Sequence, residues 1–215
     1  MGKIVLATII ISGSAKWLLK VGGNKEKWYG SDRIFMYVMT VFGAMTVNYS
    51  EQCTEYGWVV SNLRLLAGCL LAGGLLSAAY MDRRNCWVYN YVWWWCLPWA
   101  GILGMTAGGG FHGIVAVLVF VMLQQLLFSR MYGKADCHAF SVCALAECGN
   151  AVGMVGFLLQ MLLSVVLLTI VQLFRGNVTP RGRLREPQPF IPYIITALFS
   201  VTFLESVFRT TYIYA

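Results

Sequence analysis

Residues 151–174 read AVGMVGFLLQMLLSVVLLTIVQLF, a run without a single formal charge. A helix at the surface of a soluble domain keeps one polar face, and this stretch offers none. A hydrocarbon layer about 30 Å thick asks for about 20 apolar residues per helix and satisfies no backbone polar group itself. The run therefore reads as a membrane-spanning helix, and the fold turns on how many others accompany it.

Seven further apolar runs lie at 4–19, 34–49, 58–81, 86–105, 110–128, 136–148 and 189–208. Composition agrees: 59% of the 215 residues are hydrophobic and 12% are charged, with mean hydropathy +0.67. Soluble domains carry about 25% charged residues, so a soluble globular fold is excluded. The expected fold class is all-α, a polytopic integral membrane helix bundle of eight hydrophobic segments. The sixth, 136–148, is long enough for only half a crossing. Tight gaps at TAGG (106–109) and GN (149–150) suit neighbouring antiparallel helices. The first run follows Lys3 and is taken as a membrane segment rather than a cleavable signal.

The formal net charge of +7 does not form a nucleic-acid footprint, because the basic residues sit in short loops between apolar runs. All sixteen except Lys3, Arg64 and Arg209 fall within 16–33, 82–85, 129–135 and 175–188. Cytoplasmic loops collect Lys and Arg, so these four loops are placed in the cytoplasm and both termini outside. This topology brings Asp82, at the end of the third segment, and Asp136, at the start of the sixth, to one membrane surface. Other acids are less telling. Glu26, Asp32 and Glu186 lie in inner loops, where a receiving role for a basic peptide is weighed against plain solvation. Glu51 and Glu55 lie in an outer loop, Glu147 near an outer turn, and Glu205 near the end of the last segment.

Two carboxyls held close together resist ionising together and share a proton. The ionised member can then take a proton from water while the neutral one donates to an amide carbonyl. Arg83, Arg84 and Lys134 would oppose that state unless the pair is buried. An interfacial helix cap is the structural alternative for Asp136. Cys137 and His138 cannot form a thiol–imidazole dyad, since adjacent helical residues point about 100° apart. Seven scattered cysteines and two histidines offer no zinc spacing. The aromatic run WVYNYVWWWCLPW (87–99) reads as packing or an interfacial belt.

Three stretches, MDRRNCWVYN (81–90), YGKADCHAF (132–140) and PFIPYIITALF (189–199), together resemble the prepilin peptidases, membrane aspartyl proteases of the GxGD type. MDRRNCWVYN (81–90) is similar to the family's leading aspartate motif, with Asp82 followed eight residues later by Asn90. YGKADCHAF (132–140) resembles Gly-x-Gly-Asp-x-Lys, with Gly133 and Asp136 in place, Ala135 for the second Gly and His138 where Lys is common. PFIPYIITALF (189–199) resembles the Pro-Phe-Gly-Pro start of the family's last helix, with Ile191 for Gly; Tyr89 likewise replaces a Pro. The likeness covers roughly residues 60–210.

The resemblance implies a six-segment catalytic core in 58–215, preceded in 1–57 by two membrane segments and a short cytoplasmic loop. Asp82 and Asp136 are the implied catalytic residues, supported by Asn90, Gly133, Ala135 and His138, with no cofactor and no metal. Family members with a zinc-binding cytoplasmic domain have a long loop after the first helix; here residues 20–33 contain no cysteine, so cleavage is expected without that module and N-methylation is not part of the expectation. The implied partner is a prepilin-like precursor with a hydrophobic N-terminal helix, met in membrane lipid at the cytoplasmic face of a bacterial inner membrane. Gly73–Gly74 and Gly108–Gly110 are expected to allow close helix approach there. Two rivals stand beside this reading: a transporter or channel that uses acids for ion or proton coupling, and an inactive family member serving as a binding scaffold.

Overall fold

The computed structural model describes residues 2–23, 30–52, 57–106, 111–130, 133–147, 153–175 and 188–213. Among them are eight α-helices and no strand: α1 (Gly2–Val21), α2 (Gly30–Gln52), α3 (Trp58–Asn85), α4 (Asn90–Thr106), α5 (Phe111–Leu126), α6 (Lys134–Glu147), α7 (Gly153–Phe174) and α8 (Ile191–Ile213). Four are long and apolar enough to cross a membrane, namely α1, α3, and the stretches Val155–Phe174 and Ile191–Phe208. At about 1.5 Å per residue α6 rises about 21 Å, too short to cross.

Helix α3 is the axis of the bundle, with α1, α2, α4 and α8 packed around it. It is buried almost without interruption from Ala67 to Asp82, and small residues make that possible. A Cβ on Gly73 would overlap the Ser14 hydroxyl and come within 2.9 Å of the Ile11 carbonyl on α1. One on Gly74 would meet Cys96 Sγ at 2.5 Å and Trp95 at 3.0 Å on α4. Gly73 and Gly74 thus allow the close approach of α1 and α4 to α3; Gly108–Gly110 lie outside the described residues.

Outward faces are apolar. Leu158, Leu159, Leu162 and Leu173 of α7, Leu118, Met122 and Leu126 of α5, and Val5, Leu6 and Ile9 of α1 are all exposed. Patches of this extent are not left open to water, whereas hydrocarbon accepts them. One contiguous apolar core joins residues from α1 through α8. The aromatic run divides between the two environments: Trp93 is buried and Trp94 exposed, while Trp95 packs on Trp17 at 5.1 Å and donates its indole N–H to the Leu70 carbonyl.

Two of the helix boundaries that differ from the sequence reading bear on function. Helix α3 continues past residue 81 to Asn85, which sets Asp82 inside its last turn. Residues 86–89 are not helical, so α4 begins at Asn90 instead of 86. Cys86 ends α3 in the left-handed region, φ 50°, and donates its backbone N–H to the Asp82 carbonyl at 2.8 Å. A non-glycine residue adopts that conformation at some steric cost, so apolar character alone does not announce the break.

Candidate active site

The two aspartates of the sequence analysis come from different helices to the same end of the bundle. Asp82 is only 6% exposed. Its Oδ2 accepts the backbone N–H of Ile191 at 3.0 Å. Ile191 is the first residue of α8, and Pro192 has no N–H to offer. Phe190 precedes the helix, and its carbonyl takes the next two donors, Tyr193 and Ile194. The Asp82 carboxyl thus satisfies an end donor of α8 and lies at the positive end of its dipole. The Pro-Phe-Ile-Pro stretch of 189–192 holds the first aspartate in place through its backbone.

Asp136 sits in the first turn of α6. Its Oδ2 accepts the Gly133 backbone N–H at 3.2 Å, and the Gly133 carbonyl accepts the N–H groups of Asp136 and Cys137 at 3.1 and 3.2 Å. This is one half of a capping box, the carboxyl three residues in accepting from the cap's N–H, while Gly133, without a side chain, offers only its carbonyl in return. The cap expected as the structural alternative is therefore real. It occupies Oδ2 alone. A Cβ on Gly133 would stand 3.2 Å from that oxygen, so glycine keeps the turn close. Ala135 is helical and packs against the core, and among the described residues only Cys86 has positive φ outside glycine. The motif's second glycine is not needed for conformational freedom here.

Burial, and then the charge of Asp82, raise the Asp136 carboxyl to about 7 against the opposing hydrogen bond from Gly133. The carboxyls are thus near enough to feel each other. Burial and then the charges of both Asp82 and Asp136 likewise push the Cys86 thiol up. This exposed thiol stands beside the pair.

The basic residues feared as neutralisers are turned elsewhere. Arg83 and Arg84 both direct Nε to Asp32 in the first turn of α2, at 2.8 and 3.2 Å. The Arg83 guanidinium lies over Phe35 at 5.2 Å and that of Arg84 over Tyr80 at 5.4 Å. Asp32 is therefore an ion-pair partner rather than a solvated loop acid; Glu26 and Glu186 lie outside the described residues. Lys134 is exposed.

Asn90 and His138 are not brought to the pair. Asn90 is exposed at the first position of α4 and hydrogen-bonds neither aspartate. His138, two residues beyond Asp136, faces away from it: Nδ1 lies 3.3 Å from the Gln125 side chain on α5, and its ring is 6.0 Å from that of Trp93. It ties α4, α5 and α6 together.

A second polar region escaped the sequence reading. Toward the other end of α3, α6 and α8, a cavity of about 90 Å³ is lined by Arg64, Glu147, Glu205, Thr46, Thr202 and Ser206, among others. Arg64 and Glu147 are buried, at 5% and 9% exposure. The available signal was spacing: Leu198, Thr202 and Ser206 recur every four residues, so two hydroxyls share one face of α8. Among known proteins, no family model, no curated protein and no solved structure matches the chain, so its site is read from its own geometry.

Proposed function

We propose that this protein is a membrane aspartyl endopeptidase of the prepilin-peptidase type. The observation that carries the reading is one buried and one half-buried carboxyl, set by α3 and α6 at one end of the bundle, close enough for one charge to raise the other's proton affinity. In this reading eight hydrophobic segments enter the membrane, α6 being too short to cross it alone, and both termini lie outside. Helices α3 to α8 form the catalytic core, and the acid pair faces the cytoplasm of a bacterial cell. The substrate is a precursor whose short basic leader precedes a hydrophobic helix.

The two hydrogen-bond settings divide the roles. Asp82, held on the N-terminus of α8, is the ionised member and takes a proton from the attacking water. Asp136, with only Gly133 donating to it, keeps its proton and gives it to the scissile carbonyl oxygen. Water oxygen bonds to the carbonyl carbon, forming a tetrahedral diol. The C–N bond then breaks as the amine takes the proton from Asp82, and Asp136 recovers its own from the diol. Peptide and water become a carboxylic acid and an amine, with no covalent enzyme intermediate.

Co-expression with a pilin-like precursor, followed by mass spectrometry of the product's amino terminus, tests the reading. Wild type removes the leader; Asp82→Asn and Asp136→Asn leave it attached. Processing that persists in both variants would refute the acid pair. The transporter reading has one observation in its favour, the polar cavity between the same helices. Ion flux in proteoliposomes that depends on either aspartate would support that reading instead.

A further inference from the structure

We infer that Gln172 is a positioning residue for the acid pair, acting through Gln188 and the segment that opens α8, a role that rests on the endopeptidase reading. Residues 164–174 of α7 read SVVLLTIVQLF, and a leucine at 172 would suit a helix in hydrocarbon better than an amide does. Yet Gln172 is fully buried, two residues before α7 ends. An amide taken out of water costs free energy until it is hydrogen-bonded. Its Nε2 donates to Gln188 Oε1 at 3.2 Å, across the connection from α7 to α8. Side-chain amides join neighbouring segments in this way within membranes.

Gln188 begins a short strap, residues 188–191, that touches three helices. Gln188 is tied to α7. Phe190 is buried, and its ring meets that of Phe140 on α6 at 5.7 Å, edge to face. Phe140 lies four residues beyond Asp136, on the same face of α6. Ile191 gives its N–H to Asp82 of α3 at 3.0 Å. One segment therefore joins the helices of both aspartates, and its leading end is anchored at Gln172. Pro189 and Pro192 stiffen it by fixing φ. A stiff segment passes a displacement at one end on to the other, so release at Gln188 moves the N–H that Asp82 accepts.

A positioning role differs from a merely stabilising one in what it changes. A shift of about 1 Å at reacting groups costs as much as about 10²-fold in rate. Replacing both members of a buried hydrogen-bonded pair by apolar groups of similar shape leaves stability nearly unchanged. Ser164 supplies the contrast on the same helix. It is as fully buried as Gln172, but its hydroxyl donates to the Met161 carbonyl of α7 itself, at 2.7 Å.

The test joins leader cleavage by the purified full chain to hydrogen exchange in residues 189–192, where two prolines leave only the Phe190 and Ile191 amides to report. Gln172→Met and Gln188→Met are each expected to lower kcat roughly tenfold to hundredfold, with KM held within about twofold. The acid limb of the cleavage pH profile moves to higher pH, since a carboxylate that loses an N–H donor ionises less readily. The double variant loses no more than either single one, and exchange in 189–192 quickens in all three. Ser164→Ala leaves kcat, profile and exchange as in wild type. A raised KM with kcat kept, additive losses in the double variant, or unchanged exchange in both single variants would overturn the inference. A wild type that cleaves no precursor would remove the endopeptidase reading instead, and exchange alone would then decide whether Gln172 holds the Asp82 contact: quickened exchange upholds it and unchanged exchange ends it.

Discussion

The same three helices, α3, α6 and α8, carry polar groups at both ends, and the two ends treat charge differently. At the acid pair, Asp82 and Asp136 receive backbone N–H groups, while the nearest arginines are drawn off to Asp32. At the far cavity, the acids share their space with Arg64 and a set of hydroxyls. An acid beside other acids and neutral donors holds its proton near neutral pH and can exchange it. At the far end the buried guanidinium is given to a carbonyl and a hydroxyl of α4, and Glu147 accepts from Thr202 on α8, contacts that join helices. Two regions built from similar residues are thus set for different work by where the arginines point.

The comparison breaks most visibly at Arg64. Truncating Arg64→Ala removes the buried charged donor that holds the Leu103 carbonyl and the Thr106 hydroxyl and is expected to cost about 1.5–3 kcal/mol, seen as a fall in Tm. The same truncation at Arg83, on the surface, should cost about 0–1 kcal/mol. Equal losses at the two positions would remove the distinction between the ends.

Cys86 probes the acid-pair end directly. Its thiol is exposed beside both carboxylates, while Cys69, Cys96, Cys137 and Cys143 are buried. A bulky maleimide is expected to abolish most of the leader cleavage by wild type and little of that by Cys86→Ser. Full activity of protein labelled at Cys86 would show that substrate approaches from elsewhere.

Asp136 gives a sign that the far end cannot. Because folding raises its carboxyl from 3.8 to about 7, the folded chain binds that proton more tightly than the unfolded one. The stabilisation is complete below about pH 4 and is lost as pH rises through about 7. Asp136→Asn keeps an oxygen for Gly133 and does not titrate, so its Tm relative to wild type should climb between pH 4 and pH 8. A constant difference would deny the raised affinity.

The smallest effect belongs to Asp32→Asn. Losing two partly exposed ion pairs should cost about 0.2–1 kcal/mol each. The freed guanidinium groups of Arg83 and Arg84 would favour ionised carboxyls nearby, moving the falling limb of the cleavage pH profile to lower pH. An unmoved profile would mean that Asp32 does not shield the pair.

Much of this was legible in the residues. Apolar runs place all eight helices within a few positions, because hydrocarbon demands continuous apolar length, and the Lys and Arg bias brings Asp82 and Asp136 to one end. What stayed hidden depends on tertiary structure. The break at Cys86 lies in an aromatic, apolar stretch that reads as helix, and only a left-handed backbone ends it. The role of residues 189–192 lies in a backbone N–H, which no side chain reports. Asp32 looked like a loop acid because its partners, Arg83 and Arg84, stand 51 and 52 residues away. Arg64 looked like a stray charge in an apolar segment until α4, α6 and α8 closed around it. Asn90 and His138 entered through family resemblance alone, and geometry gives them other neighbours.

The central claim is that Asp82 and Asp136 act as one proton-sharing unit. It is tested most directly by the rate at which purified protein in proteoliposomes removes a basic leader from a pilin-like precursor, across pH, in wild type and in each aspartate-to-asparagine variant. The wild-type rate is expected to decline above about pH 7 as Asp136 loses its proton, and each variant to lose about 10²–10⁴-fold. Leader removal near the wild-type rate by either variant, or no removal by wild type, would contradict it.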